Sequence, residues 1–189
     1  LRYLPELFQF ASSKKNLELC IELGIEMPAL MPSCNIRMDL PQRPEFLFHW
    51  HQDTTYLLGS MNALTFWFPL THVNRKRGTI EVVPGSHKQG IRPISYSGEQ
   101  KPEKHLTMSP KNIYLKKDPD DETIFIDAKP GDLVVFSQLL LHRSTPNFSN
   151  NIRWVAQLRY ADFAEKRFID NKYPMGGNTN IFHTDYMDN

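Results

Sequence analysis

Apolar and aromatic residues occur along most of this chain in short runs separated by turn-forming residues. The runs are rich in Val, Ile, Phe, Trp and Tyr, and clusters such as "PGSH" and "KPGD" lie between them. Such runs predict β-strands, and the Pro/Gly clusters predict tight turns. Strands are expected at residues 46–51, 63–70, 78–83, 123–128, 132–137, 139–144 and 152–160.

One segment near the start has a helical period instead. Residues 12–23 begin with two serines that suit a helix N-cap and end before Gly24, which favours a helix C-terminus. Leu17, Cys20 and Ile21 fall on one face of this predicted helix. Many short strands with one flanking N-terminal helix predict a mainly β fold, a sandwich or a barrel.

The length and composition are those of an ordinary globular domain. The chain has 189 residues, 40% of them apolar, and a formal charge of +1. This balance gives no reason to expect nucleic acid as a partner, and no apolar run is long enough for a membrane span. Two cysteines suit reduced thiols and a cytoplasmic location. We expect a single domain over residues 1–189, and the sequence does not predict an oligomeric state.

One polar, Pro-rich stretch, residues 91–122, is long for a connection inside a compact domain. It is either a functional lid or insertion, or a plain solvated excursion.

A metal-binding pattern occurs in "HWHQD". If residues 46–51 form a strand that continues, His51 and Asp53 lie on the same face and can converge on one ion. With a second histidine they would complete the two-histidine, one-carboxylate set that holds Fe(II). The pair alone is common by chance, and His183 and Asp185 form a second copy. No strand precedes that copy and no histidine follows it, so we interpret it as a solvent-facing tail.

His142 and Arg153 are the downstream residues that can complete such a site. His142 ends an apolar run and is either a satisfied core histidine or the third ligand. Arg153 opens the next predicted strand and is either a surface charge or the cation that grips a dicarboxylic co-substrate. Considered together with His51 and Asp53, His142 is favoured as the third metal ligand. Arg153 is favoured as the cation that binds the co-substrate.

The strand at residues 152–160 has a polar face. Arg153, Val155, Gln157 and Arg159 alternate with Trp154, Ala156, Leu158 and Tyr160. The polar face either lines a wet, anion-binding cavity, which we favour, or is exposed to solvent.

A rival motif is the His-x-His of cupins, to which His49 and His51 are similar. That motif needs a glutamate a few residues later, and the next one here is Glu81. We therefore expect His49 to be an inward-facing strand neighbour and not a ligand.

Three ordered blocks resemble the phytanoyl-CoA dioxygenase family of Fe(II)/2-oxoglutarate oxygenases. They are "WHQD" at residues 50–53, "FWFPLTHVNRKRGTIEVVPGSHKQG" at 66–90 and "PGDLVVFSQLLLHRSTPNFSNNIRW" at 130–154. The resemblance covers about residues 35–160. It implies a double-stranded β-helix, the jelly-roll or cupin-like barrel.

The resemblance also implies roles for individual residues. His51, Asp53 and His142 would bind Fe(II). Arg153, Ser144 and Trp67 would contact 2-oxoglutarate, while O2 is the second co-substrate. Tyr56, His49, Gln157 and Arg159 are expected to line the substrate pocket. Gln52 is expected to point away from the metal and to bond a neighbouring loop, and Asn35 and Arg37 are candidates for upstream co-substrate contacts.

The activity implied is hydroxylation of a small molecule with release of succinate and CO2. Related halogenating enzymes replace the acidic ligand with a small residue, so the presence of Asp53 favours hydroxylation. Two alternatives stay open: a non-catalytic jelly-roll protein that binds a metal or ligand, and a metal enzyme that does not use 2-oxoglutarate.

Overall fold

The computed structural model describes residues 4–55, 59–96 and 113–173. Its helices are α1 (Pro5–Ala11), α2 (Lys14–Glu22) and α3 (Lys166–Asp170). Its strands are β1 (Pro28–Leu30), β2 (Asn35–Asp39), β3 (Ala63–Pro69), β4 (Ile80–Val82), β5 (Ile94–Tyr96), β6 (Ile113–Leu115), β7 (Ile124–Phe125), β8 (Val134–Ser137), β9 (His142–Ser144) and β10 (Arg153–Asp162).

The larger sheet is built around β10, the longest strand. One edge of β10 pairs with both β1 and β2, and the other edge pairs with β3, which in turn pairs with β8. All of these pairs are antiparallel. A smaller antiparallel sheet has the order β7-β4-β9, and β5 pairs with β6. The mainly β, jelly-roll prediction is confirmed.

The hydrophobic core between the two sheets comes from their facing strands. Trp67 of β3 and Val155 of β10 pack with Ile80 and Val82 of β4. Alternate residues of a strand point to opposite faces, so Val155 and Arg159 lie on the inner side of β10. The predicted division of β10 into two faces agrees with this packing.

The outer face of the larger sheet is covered by the first two helices. Phe66 of β3 and Leu158 of β10 pack against Leu7 and Cys20 from the helices. The Tyr160 hydroxyl, on the same face, donates a hydrogen bond of 2.7 Å to the Ala11 carbonyl. The buried phenol therefore has a partner and ties α1 to the sheet.

The helical prediction for residues 12–23 is confirmed with two corrections. The helix begins at Lys14, and Gly24 follows its end with φ of +92°, a conformation that favours glycine. Ile21 is 55% exposed instead of packed, because Asn16 and Cys20 form the buried stripe. The sequence reading also missed α1 and α3, whose buried positions are too few to give a clear helical period.

The predicted strand at residues 46–51 is wrong. A 3-10 turn occupies Pro44–Phe46, and only His51 makes a β-bridge, to His142. The Ser144 N–H then bonds to the Phe48 carbonyl, one residue earlier than a continuous antiparallel ladder would require. This displaced register interrupts the strand in the manner of a bulge and ends its regular alternation.

Gly78 is required where the loop after β3 meets the loop after β9. Its φ is +80°, and a Cβ atom there would lie 3.0 Å from the Thr145 carbonyl oxygen. Both the backbone conformation and the close approach favour glycine.

Among the described residues, no helix is long and apolar enough to cross a membrane.

Asp162, at the end of β10, joins three parts of the chain. Its carboxylate accepts hydrogen bonds from the backbone N–H groups of Glu26, Met27 and Ala164 and from the Asn62 side chain, at 2.8–3.1 Å. Burial acts to raise the pKa of Asp162, but these donors outweigh it and lower the pKa below its ordinary value of 3.8.

Replacing Asp162 with Ala should lower the free energy of unfolding by about 3 kcal/mol at pH 7, because four part-buried hydrogen bonds to its carboxylate are lost together. A group with a depressed pKa stabilises the fold fully above its unfolded pKa. The difference between wild type and variant should therefore shrink as the pH falls below 3.8. Urea unfolding of both proteins at several pH values measures this difference in the free energy of unfolding. The matched control, Asp170→Ala, removes an exposed partner of Lys166 and should change stability by under about 0.5 kcal/mol.

Candidate metal centre

Two histidines that are far apart in sequence are joined through their backbones. The His51 N–H donates to the His142 carbonyl at 2.9 Å, and the His142 N–H donates to the His51 carbonyl at 3.0 Å. Directly opposed residues in an antiparallel bridge carry their side chains on the same face. The imidazole centroids are accordingly 4.1 Å apart, and both side chains are buried.

Asp53 joins this pair from a turn and not from a strand. It is the first residue of the 3-10 turn Asp53–Thr55, so the strand alternation proposed for His51 and Asp53 is not what brings them together. Asp53 Oδ1 lies 3.8 Å from His51 Nε2 and 4.0 Å from His142 Nε2.

These three side chains form a compact donor set. One ligand atom from each of His51, Asp53 and His142 lies within 4.8 Å of the others, and all three residues are buried. Two imidazole nitrogens and one carboxylate oxygen, grouped on one side of an ion, are the donor set of non-haem Fe(II) oxygenases. The residues present therefore fit iron.

Hydrogen bonds orient both imidazoles for metal binding. His51 Nδ1 lies 2.7 Å from the His49 carbonyl oxygen, and His142 Nδ1 lies 2.9 Å from the Leu140 carbonyl oxygen. A carbonyl only accepts, so Nδ1 carries the proton in each ring and Nε2 presents its lone pair toward Asp53. Burial lowers the pKa of both residues, that of His51 to about 3. Both imidazoles are thus neutral, as metal ligands must be.

Asp53 is held by donors from two adjacent strands. Its Oδ2 accepts hydrogen bonds from the Thr65 hydroxyl at 2.6 Å and from Arg159 Nε at 3.2 Å. Thr65 and Arg159 are direct cross-strand partners of β3 and β10. Burial acts to raise the pKa of Asp53, but the Arg159 cation, His142, His51 and the Thr65 hydrogen bond together hold it well below its usual range.

Arg153 is buried at the opposite end of the inner face of β10. Its Nε donates to Asp39 Oδ2 at 3.0 Å, its Nη2 donates to the same oxygen, and its Nη1 donates to the Thr79 carbonyl at 3.1 Å. Of the five N–H groups of a guanidinium, these contacts use three. The described part of the chain supplies no acceptor for the other two N–H groups.

Arg37 is a second cation on the same carboxylate. Its Nε lies 2.9 Å from both Asp39 oxygens, and its Nη2 lies 2.7 Å from Oδ1. Burial acts to raise the pKa of Asp39, but the two arginines outweigh it and lower the pKa. The cluster of Arg37, Asp39 and Arg153 carries one net positive charge, which suits an anionic ligand.

The other residues expected to contact 2-oxoglutarate lie on strands of both sheets. Trp67 is almost fully buried in the core between the sheets, directly opposite Gln157 of β10. Ser144 is half-buried and lies two residues after His142 on β9. Asn35, the other upstream candidate, pairs with Gln157 from the far edge of β10.

Residues expected to line the substrate pocket have different surroundings. Gln157 is half-buried and accepts a hydrogen bond from Arg159 at 3.2 Å. Arg159 contacts Asp53 and therefore lies beside the metal ligands. The His49 side chain is exposed, which corrects the expectation that it faces inward, since the irregular backbone at residues 46–51 does not keep strand alternation. Tyr56 and the second His-x-Asp pair, His183 and Asp185, lie outside the described residues.

Gln52, between His51 and Asp53, bonds to neighbouring loops, as expected. Its side-chain amide donates to the carbonyls of Gly90 and Leu139, and its Oε1 accepts from the Arg92 N–H. The fully buried amide is therefore satisfied by the loops on either side.

Sequence reasoning missed two residues that bond to charged side chains of the site, Asp39 to Arg153 and Thr65 to Asp53. Neither Asp39 nor Thr65 was singled out, because each acquires its role only through cross-strand pairing. Asp39 is opposite Arg153, and Thr65 is opposite Arg159. A buried arginine needs an acceptor, which is the one signal that could have led to Asp39.

The comparisons with known proteins agree with this geometry. A family model described as "Phytanoyl-CoA dioxygenase (PhyH)" matches residues 35–155, which include all three members of the donor set and Arg153.

Two relatives share moderate sequence identity over part of their length. A 1-deoxypentalenic acid 11-beta-hydroxylase of Streptomyces exfoliatus is 30% identical over 109 residues, 57% of this chain and 38% of that protein. The peroxisomal phytanoyl-CoA dioxygenase of Bos taurus is 28% identical over 122 residues, 64% of this chain and 35% of that protein. The chain thus spans less than half the length of either relative.

A solved structure supports the fold. The non-heme alpha ketoglutarate dependent carbocyclase SnoK from nogalamycin biosynthesis superposes with a TM-score of 0.61 at 22% identity, over 92% of this chain and 67% of that one. At 22% identity, this similarity is evidence for the fold alone. The family match covers well over half of the chain and contains the donor set, so this chain belongs to the phytanoyl-CoA dioxygenase family of iron- and 2-oxoglutarate-dependent oxygenases.

Proposed function

We propose that this protein is an Fe(II)/2-oxoglutarate-dependent dioxygenase that hydroxylates a small molecule and releases succinate and CO2. The observation that carries the proposal is the convergence of one ligand atom each from His51, Asp53 and His142 within 4.8 Å in a buried setting. Membership of the phytanoyl-CoA dioxygenase family supports it, as does the hydroxylase named among the relatives.

The three ligands would hold the ion from one side and leave its other positions for co-substrates. The Nδ1 hydrogen bonds to backbone carbonyls keep both imidazoles in the tautomer that binds through Nε2. The bound iron, with 2-oxoglutarate and O2, supplies the oxidising chemistry. The protein's own part is to hold this donor set rigidly and to keep bulk water away from it.

Arg153 is the proposed anchor for the distal carboxylate of 2-oxoglutarate, assisted by the Ser144 hydroxyl and by Trp67. Asp39 and the Thr79 carbonyl fix the guanidinium, and the two N–H groups that no described residue engages suit a carboxylate. The surplus positive charge of the cluster of Arg37, Asp39 and Arg153 supports the binding of a dianion there. Arg37 is a second candidate donor, because 16% of its side chain is exposed.

The second candidate function is a non-catalytic jelly-roll protein that binds a metal or ligand. A metal-binding protein would also need a donor set, but two imidazoles and one carboxylate on one side of an ion are the ligands typical of non-haem Fe(II) oxygenases. The Arg153 cluster favours the oxygenase, because its surplus positive charge suits a dicarboxylate co-substrate, which a protein that binds only a metal does not need.

Several assignments stay predictions. We treat residues 1–189 as a single oxygenase domain in the cytoplasm. The predicted lid at residues 91–122 falls partly outside the described residues, as do Tyr56 and any contact it makes. His49, Gln157 and Arg159 stay predicted as pocket residues.

Anaerobic addition of Fe(II) and 2-oxoglutarate should produce a weak visible charge-transfer band, because the co-substrate chelates the ion when three protein ligands leave room for it. Under air the protein should release succinate slowly even without a substrate. His142→Ala and Asp53→Ala should each abolish both signals. A folded wild-type protein that gives the band but no succinate over hours would favour the non-catalytic alternative instead.

Arg153→Lys should raise the 2-oxoglutarate concentration needed for half-maximal succinate release by at least about tenfold, because the forked donor pair is lost. Fe(II) binding should be unchanged, since Arg153 contacts none of the three ligands. The matched control is Arg43→Lys, which alters an exposed cation paired with Glu45. Equal co-substrate requirements in Arg153→Lys and wild type would exclude Arg153 as the anchor and favour a metal enzyme that does not use 2-oxoglutarate.

A further inference from the structure

The two oxygens of the Asp53 carboxylate have different surroundings. Oδ2 accepts the two shorter hydrogen bonds, from Thr65 at 2.6 Å and Arg159 Nε at 3.2 Å. Oδ1 faces the two Nε2 atoms at 3.8 and 4.0 Å, and the one donor that reaches it from the described residues is Arg159 Nη2, at 3.4 Å. The carboxylate is therefore turned so that one oxygen points to the metal position and the other to the protein.

Arg159 is itself fixed on every side of its guanidinium. Besides contacting Asp53, its Nη1 donates to the Ser33 carbonyl at 3.0 Å and its Nη2 donates to Gln157 Oε1 at 3.2 Å. The residue is 8% exposed, and its strand position is opposite Thr65. A buried cation with this many partners holds one geometry, so it can set the orientation of the carboxylate that it contacts.

We propose that Arg159 and Thr65 are positioning residues that make Asp53 bind the metal through Oδ1 alone. The inference deepens the proposed function and rests on it. A carboxylate that bound through both oxygens would occupy one more position on the ion. With Oδ2 engaged by the protein, three protein atoms bind the ion, and the positions that co-substrate and oxygen need stay open.

Arg159 also has an effect that opposes metal binding. Arg159 is a cation beside the metal position, and its charge repels a divalent ion. Removing it would relieve that repulsion, yet it would also release the Asp53 carboxylate from the contacts that hold Oδ2 and turn Oδ1 to the metal position. Loss of outer partners of metal ligands typically weakens metal binding by about 10–100-fold, so we expect the positioning to dominate.

The test measures Co(II) binding to the full chain by anaerobic titration calorimetry, together with the visible ligand-field spectrum of the Co(II) protein. Arg159→Gln should weaken Co(II) binding by about tenfold or more and change the spectrum. Thr65→Val, which removes only the hydroxyl, should change both in the same direction by less. Arg159→Lys keeps the charge with one donor group and should restore part of the affinity.

The control variant and the stability of each protein separate positioning from a merely structural role. Arg43→Gln, the same change at an exposed cation paired with Glu45, should leave Co(II) affinity and spectrum as in wild type. If Arg159 only holds β10 to the Ser33 carbonyl, Arg159→Gln lowers the melting temperature while the folded protein binds Co(II) as tightly as wild type, with the same spectrum. Unchanged or tighter binding in Arg159→Gln overturns the inference.

If the proposed metal site does not exist, the Co(II) titrations give a different result. In that case wild type itself takes up no Co(II), or His142→Ala binds as well as wild type. If wild type binds and His142→Ala does not, the metal site stands, and the Arg159 and Thr65 variants alone decide the inference.

Discussion

The reciprocal backbone hydrogen bonds between His51 and His142 are the constraint on which the site depends. They join an irregular segment after β2 to the first residue of β9 and bring the two imidazole rings side by side. The register of this single bridge matters more than the strands around it, because a shift by one residue would turn one ring to the opposite face. Asp53 then needs only the short turn after His51 to reach both rings.

The structure also depends on ion pairs that compensate buried charges, and an arginine of β10 takes part in one at each end of the strand. Arg159 balances Asp53 at the donor set, and Arg153 shares Asp39 with Arg37 at the far end of the same face. Unpaired buried charges are strongly destabilising, so each ion pair lets a polar group remain inside the jelly roll. The inner face of β10 thus has the donor set at one end and the cluster of Arg37, Asp39 and Arg153 at the other, with Gln157 and Val155 between them.

The sequence predicted the fold class, most strands and the members of the donor set, because hydrophobic alternation and three ordered motif blocks are local signals. Residues 46–51 are a segment whose structure the local sequence does not determine. Their composition is that of a strand, but pairing with β9 slips by one residue at Phe48, and only tertiary contacts determine that slip. The roles of Asp39, Thr65 and Arg159 were also beyond the sequence, since each follows from the cross-strand register of β10 with β2 and β3.

The central claim is that His51, Asp53 and His142 hold one ferrous ion. The most direct measurement is an anomalous difference map at the iron absorption edge from crystals grown anaerobically with Fe(II). If these residues hold the ion, the map will show one strong peak within bonding distance of both Nε2 atoms and of Asp53 Oδ1. A peak elsewhere in the chain, or none at this position in crystals that contain iron, would contradict it.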